Sequence, residues 1–227
     1  MRWLLNTVSF VALLAIGLMF LWSANRSSAG GSREEGAIPS EPVTLAGAEI
    51  DGSATATDVV MVFSDFQCPY CGKFARQTMP RLRERYVRTG RVLLAFRNLP
   101  LTTIHQFART AAQAAICVGR EGRFWDMHNS LFENQAQLAE PALRERAMRF
   151  GLTQQRFDAC LADDVIGNEL EDDASLARRL GVKSVPTVMV GRLRSDGQVD
   201  VTRRFSGVAS LDEIGEAIAS GHVGKQE

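Results

Sequence analysis

Phe63-Ser64-Asp65-Phe66-Gln67-Cys68-Pro69-Tyr70-Cys71 joins an apolar strand directly to a Cys-x-x-Cys at the start of a helix. The run Val59-Val60-Met61-Val62-Phe63 has no polar alternation, the pattern of a central strand covered on both faces. Pro69 suits the first helical position, where a missing N–H costs nothing; Cys68 then falls at the N-cap and Cys71 at the third helical position. A thiolate at Cys68 would face free backbone N–H groups and the positive end of the helix dipole, both of which lower a thiol's pKa below its free value of about 8.5. Cys71, one turn further on, reads as the resolving thiol. Two cysteines at this spacing close a small strained ring, so oxidised and reduced forms can be comparable in energy, as disulfide exchange requires. Half of a zinc site would need a second ligand pair. The chain offers only His105, His128 and His222 and no other Cys-x-x-Cys, so neither a metal nor another cofactor is expected.

The chain of 227 residues carries 26 basic and 26 acidic side chains, which gives no sign of a nucleic-acid partner. Its hydrophobic fraction of 45% is enough for one globular domain with a substantial core. After Met1-Arg2-Trp3 comes a nearly uninterrupted apolar run, Leu4 to Trp22. At roughly 19 residues it is long enough for a short membrane span and longer than the usual core of a signal peptide. Residues 1–22 are therefore read as an anchor, with a signal cleaved near Ser27-Ser28-Ala29 as the alternative. Gly-Gly-Ser and two prolines make 23–42 a flexible linker. Either version of the N-terminus puts the domain, 43–227, outside the cytoplasm, where disulfides persist.

Thr44 to Ile50 reads as one short edge strand, with Asp51-Gly52-Ser53 as a turn. Ala75, Met79, Leu82 and Tyr86 repeat at helical spacing, predicting a helix from Pro69 to Arg88 that Pro80 bends near Arg76 by removing a ladder bond. Val92 to Phe96 is a second buried strand, parallel to the first across that helix. From Ile104 the pattern is helical for about 75 residues. Its segments start at Ile104, Phe124, Pro141, Gln154 (behind a Thr153 cap) and Ile166. The tail returns to strands, with a hairpin around Ser195-Asp196-Gly197 and a last helix from Ser210. Pro186 opens the first of these strands, where a cis bond would be a deliberate feature. His128 reads as a hydrogen-bonded core histidine, Phe124, Trp125 and Phe132 as core aromatics, and Asp65 as a solvated loop residue.

In this order the elements resemble the DsbA-like thiol-disulfide oxidoreductases of the thioredoxin superfamily, over roughly Asp58 to Ala219. The resemblance rests on the opening stretch, on Gly122-Arg123-Phe124-Trp125-Asp126-Met127-His128 with Leu131-Phe132, and on Gly181-Val182-Lys183-Ser184-Val185-Pro186-Thr187. It implies an α/β thioredoxin fold with a helical insert, about 104–180, between a βαβ half and a C-terminal ββα half. It also implies that Cys68 is the exposed attacking cysteine, Cys71 its buried partner and Pro186 a cis-proline facing them. Val185 would offer backbone groups to a bound peptide beside Pro69 and Tyr70. Cys117 and Cys160 are candidates for a second, structural disulfide, as related extracytoplasmic members often have; two separate buried thiols are the alternative. Two departures stand out. Tyr70 occupies the place of DsbA's active-site histidine, which removes a donor for the thiolate, and Val62 occupies the place of the buried acid six positions before the first cysteine. The proton acceptor for Cys71 is therefore unassigned.

The expected function is disulfide formation in secreted proteins at the periplasmic face of a bacterial inner membrane, by a monomer recharged by a membrane thiol oxidase. The alternatives are a reductase or isomerase kept reduced by a membrane electron donor, or a peptide-binding or chaperone module. The short segment before Val59 leaves no room for the N-terminal dimerisation domain of the superfamily's dimeric isomerases.

Overall fold

A computed structural model of the protein describes residues 36–221. The anchor expected at 1–22 and the linker up to residue 35 lie outside the described residues. Among those described, no helix is long and apolar enough to cross a membrane.

Six strands form one sheet: β1 Val43–Thr44, β2 Glu49–Asp51, β3 Asp58–Ser64, β4 Val92–Asn98, β5 Thr187–Leu193 and β6 Gln198–Ser206, in the order β1-β6-β5-β3-β4-β2. β3 and β4 run parallel, and the other pairs are antiparallel. Every residue of β3 is buried. Val60 and Val62 enter a cluster with Phe74 and Leu82 of the following helix and with Ile214 of the last one. Val59, Met61 and Phe63 enter another with Leu176 and Ala177. Two covered faces leave no place for polar alternation.

The first helix, α1, spans 69–87 as Pro69–Lys73, Phe74–Thr78, Met79–Leu82 and Arg83–Val87, the second and fourth of these being widened π-type turns. Pro80 has no N–H to give to the preceding turn, and that turn opens so that the Met79 N–H reaches the Phe74 carbonyl. Arg76, where the bend is expected, lies in this widened segment. Then follow α2 Ala108–Gly119, α3 Phe124–Glu133, α4 Glu140–Arg149, α5 Gln154–Leu161, α6 Asp164–Arg179 and, after the hairpin, α7 Leu211–Ser220. Thr153 caps α5 by accepting from the Arg156 N–H, and Ser210 caps α7 in a capping box with Glu213.

Two expectations need correction. Thr44 to Ile50 is not one edge strand: β1 pairs with β6 and β2 with β4, at opposite edges of the sheet. Arg97 draws the chain across by donating to the Thr44 carbonyl at 2.9 Å and the Ala46 carbonyl at 2.6 Å, while its other nitrogen pairs with Asp173 at 2.8 Å. The helix expected from Ile104 begins at Ala108 instead, and Ile104 is 70% exposed. The preceding backbone is spent on turns, with the Ile104 and His105 N–H groups both bonded to the Leu101 carbonyl.

The insert, α2 to α6, shares a core with Phe66, Cys71, Phe96 and Val185, and it is stapled by a disulfide between Cys117 of α2 and Cys160 of α5 with 6.0 Å between Cα atoms. This bond constrains a separation of 43 residues. Replacing both cysteines with alanine should lower unfolding free energy by about 2–4 kcal/mol, measured by denaturant titration under non-reducing conditions.

Glu49 of β2 lies beside Glu169 and Asp173 of α6, and its carboxyl is pushed up to about 7, first by burial and then by those two charges. Its ordinary value is 4.5, so between 4.5 and about 7 the native state holds a proton that the unfolded chain has released. The sign follows: stability is highest below this window and falls as pH rises through it. Asp173, raised to about 6 chiefly by burial, acts in the same direction. Glu49→Gln should flatten the slope and add about 1 kcal/mol at pH 8, after allowance for partial solvent screening, as read from urea titrations at pH 5 and pH 8.

Candidate active site: two thiols of opposite character

Cys68 sits at the N-cap of α1 with extended backbone (φ −69°, ψ 123°), and Pro69 opens the helix. The Cys68 N–H bonds to the Asp65 carbonyl at 3.2 Å, and the Cys68 carbonyl accepts from the Gly72 N–H at 3.0 Å. Both thiols of the pair are free. The Cys68 thiol is lowered to about 6, most of all by its hydrogen bond with Cys71 and then by the backbone N–H groups of Cys71 and Tyr70; burial and the Asp65 charge oppose this. Cys71 is fully buried, and burial, followed by its bond with Cys68, pushes its thiol far above the ordinary range. The Asp65 N–H, 3.4 Å from Cys71 Sγ, and the Ser64 hydroxyl offset only part of that. One sulfur is thus held ready to ionise and the other held protonated.

The Val185–Pro186 peptide bond is cis, and the Cys68 thiol points at the Val185 carbonyl at 3.8 Å. This contact revises one expectation: Cys68 is only 5% exposed, because the Val185 segment lies across it. Tyr70, at 66%, is the exposed member of the motif, together with Pro69. Cys117 and Cys160 are bonded to each other within the insert and contribute no thiol to this pair.

Asp65 is not a solvated loop residue. It is 1% exposed because three donors converge on its carboxylate: the Gln67 N–H at 2.7 Å, the Leu101 N–H at 2.8 Å and His105 Nδ1 at 2.8 Å. A second group absent from the sequence expectations is Gln135, after α3. Its amide donates to the carbonyls of Phe66 and Cys68, both at 2.9 Å, and Arg76 holds its oxygen at 3.1 Å. A Cβ on Gly72 would lie 2.0 Å from that oxygen, so any other residue there would push the Gln135 amide out of its place over the active turn. His128 is wholly buried among Phe66, Phe96 and Phe132, with Nδ1 3.0 Å from the Asn129 side chain and Nε2 without a hydrogen-bond partner. Burial lowers it to about 4, which keeps the ring neutral near pH 7. Among the described residues no cluster of His, Cys, Asp and Glu could hold a metal ion.

A family model described as Thioredoxin matches residues 47–203. The chain belongs to the thioredoxin family. Its fold within that family is DsbA-like: α-DsbA1 of Wolbachia pipientis superposes with a TM-score of 0.66 at 21% identity, covering 78% of this chain and 92% of that one. The probable disulfide bond formation protein D of Bacillus cereus is 27% identical over 61% of this chain and 68% of its own length. The sodium/proton antiporter NhaA 3 of Salinispora tropica is 34% identical over 71% of this chain, and the match spans 24% of that longer protein. The chain therefore spans about a quarter of the length of the antiporter relatives it matches.

Alkylation of the folded, reduced protein should label Cys68 with a pH midpoint of about 6 and spare Cys71 up to pH 9, as followed by mass spectrometry of quenched samples.

Proposed function

We propose that this chain is an extracytoplasmic thiol-disulfide oxidoreductase that donates disulfides to secreted proteins through Cys68 and Cys71. The observation that carries this reading is the opposite acidity of the two thiols, with the Val185–Pro186 segment lying across the acidic one. A substrate thiolate attacks Cys68 Sγ of the oxidised pair. The Cys68–Cys71 bond breaks, and its electron pair goes to the Cys71 sulfur, which takes up a proton because burial favours its neutral form. A second substrate thiolate then attacks the substrate sulfur of the mixed disulfide, and Cys68 leaves as a stabilised thiolate. The substrate gains a disulfide, and the enzyme holds the two electrons as a dithiol. An acidic leaving thiol speeds the last step and stabilises the reduced enzyme, which makes the pair a stronger oxidant.

In this proposal Pro69 and Tyr70 meet the substrate chain, and the Val185 backbone bonds to it. A location outside the cytoplasm is supported by the Cys117–Cys160 bond, since such bonds persist in oxidising compartments. The proposed arrangement is completed by tethering through residues 1–22 and by recharging of a monomer by a membrane thiol oxidase. Equilibration of the full chain with a glutathione buffer should place the Cys68–Cys71 pair at about −120 to −180 mV, with Cys117 and Cys160 tracked separately by mass. A value near about −270 mV would replace the donor with a reductase fed by a membrane electron source.

A further inference from the structure

Asp65 acts on both sulfurs at once. Its backbone N–H reaches Cys71 Sγ at 3.4 Å, and its negative charge opposes ionisation of Cys68. Such a charge three residues before a thiol that must ionise works against the site, unless a cation offsets it. His105 is placed to do so. It comes from the loop between β4 and α2, 40 positions along the chain, and puts Nδ1 2.8 Å from Asp65 Oδ2. Its side chain is 16% exposed while that of Asp65 is fully excluded from solvent, so the imidazole touches water and the carboxylate does not.

The neighbouring ionic groups have other partners or positions. On α2, Arg109 pairs with Glu171 of α6 at 3.2 Å; on β4, Arg97 pairs with Asp173 at 2.8 Å. Lys183 lies with Arg109 along the groove beside Leu101, and α1 contributes the two thiols themselves. The carboxylate's remaining bonds, from the Gln67 and Leu101 N–H groups, come from neutral donors. A hydrogen bond fixes the position of a carboxylate, but only a charge cancels its field at a distance.

We infer that Asp65 and His105 are positioning residues for the exchange reaction: the buried carboxylate sits on the turn that carries Cys68 and whose N–H meets Cys71 Sγ, and His105, bonded to it at 2.8 Å, governs the charge that this turn presents to the two sulfurs. The inference rests on the proposed exchange at Cys68 and Cys71 and is independent of its direction.

The test follows Cys68 ionisation in the full chain by ultraviolet thiolate absorbance, alongside the equilibrium with glutathione, for wild type, D65N, H105Q and the double variant. D65N should lower the Cys68 midpoint by about 0.5–1 pH unit and H105Q should raise it by a similar amount. The double variant should follow D65N, because no charge remains for the imidazole to cancel. The equilibrium constant for oxidation by the enzyme should move about three- to tenfold, rising in D65N and falling in H105Q. A merely structural role would move both single variants in the same direction, and that result, or no movement, overturns the inference. Should D65N fail to fold, H105Q and H105K decide alone: lysine must return the midpoint towards wild type, and its failure to do so counts against the dyad. A wild-type chain whose Cys68 and Cys71 do not exchange at all removes the proposed function and the dyad's role with it. Wild-type exchange with unmoved variants removes only the dyad.

Discussion

β3 carries Val60 and Val62 into one layer of the molecule and Val59, Met61 and Phe63 into the other. Each fully buried side chain of this size is worth about 1.5–3 kcal/mol. A slip of one residue against β4 or β5 would exchange the two sets and pull Ser64 and Asp65 out of place. The double burial therefore fixes the point at which the chain leaves the sheet. The turn that follows presents Asp65 and Cys68 at the start of α1, and the antiparallel partner β5 brings Val185 and Pro186 to the same end.

From that point the chemistry follows from depth. The two sulfurs are three residues apart on one helix, yet one is at its first turn among free N–H groups and the other is sealed among apolar side chains. No charged side chain need touch either sulfur for their ionisation to separate: the bond with Cys71 and the backbone N–H groups lower Cys68 against its own burial, while burial raises Cys71. The insert contributes to this asymmetry from outside the α/β core. Gln135 holds the carbonyls on either side of the reactive turn, and the aromatic cluster around His128 supports Phe66 from below.

What was legible in the sequence is what short-range physics writes there. The central strand, the Cys-x-x-Cys at a helix start and the α5 cap are each encoded within a few neighbouring residues, and the family resemblance ordered them into one fold. Asp65 was misread because a lone aspartate in a loop is ordinarily solvated, and nothing near it announces donors arriving from Leu101 and His105. Gln135 was invisible for the same reason: its bonds close only when the turn after α3, 67 to 69 residues away, folds onto the active turn. The split of Thr44 to Ile50 between two sheet edges depends on Arg97, a buried guanidinium near the end of an apolar strand. In each case the missing information is a long-range polar contact, which has no period.

The two edges also bear on aggregation. Each ends in a very short strand, two residues in β1 and three in β2, and both come from a single polar-flanked segment. A long bare edge would template strand addition by another polypeptide, and such pairing is a route to aggregation. β1 pairs only with Gln198 and Val199 of β6, and β2 only with Leu94 to Phe96 of β4, so each terminal strand is itself too short to recruit a further partner.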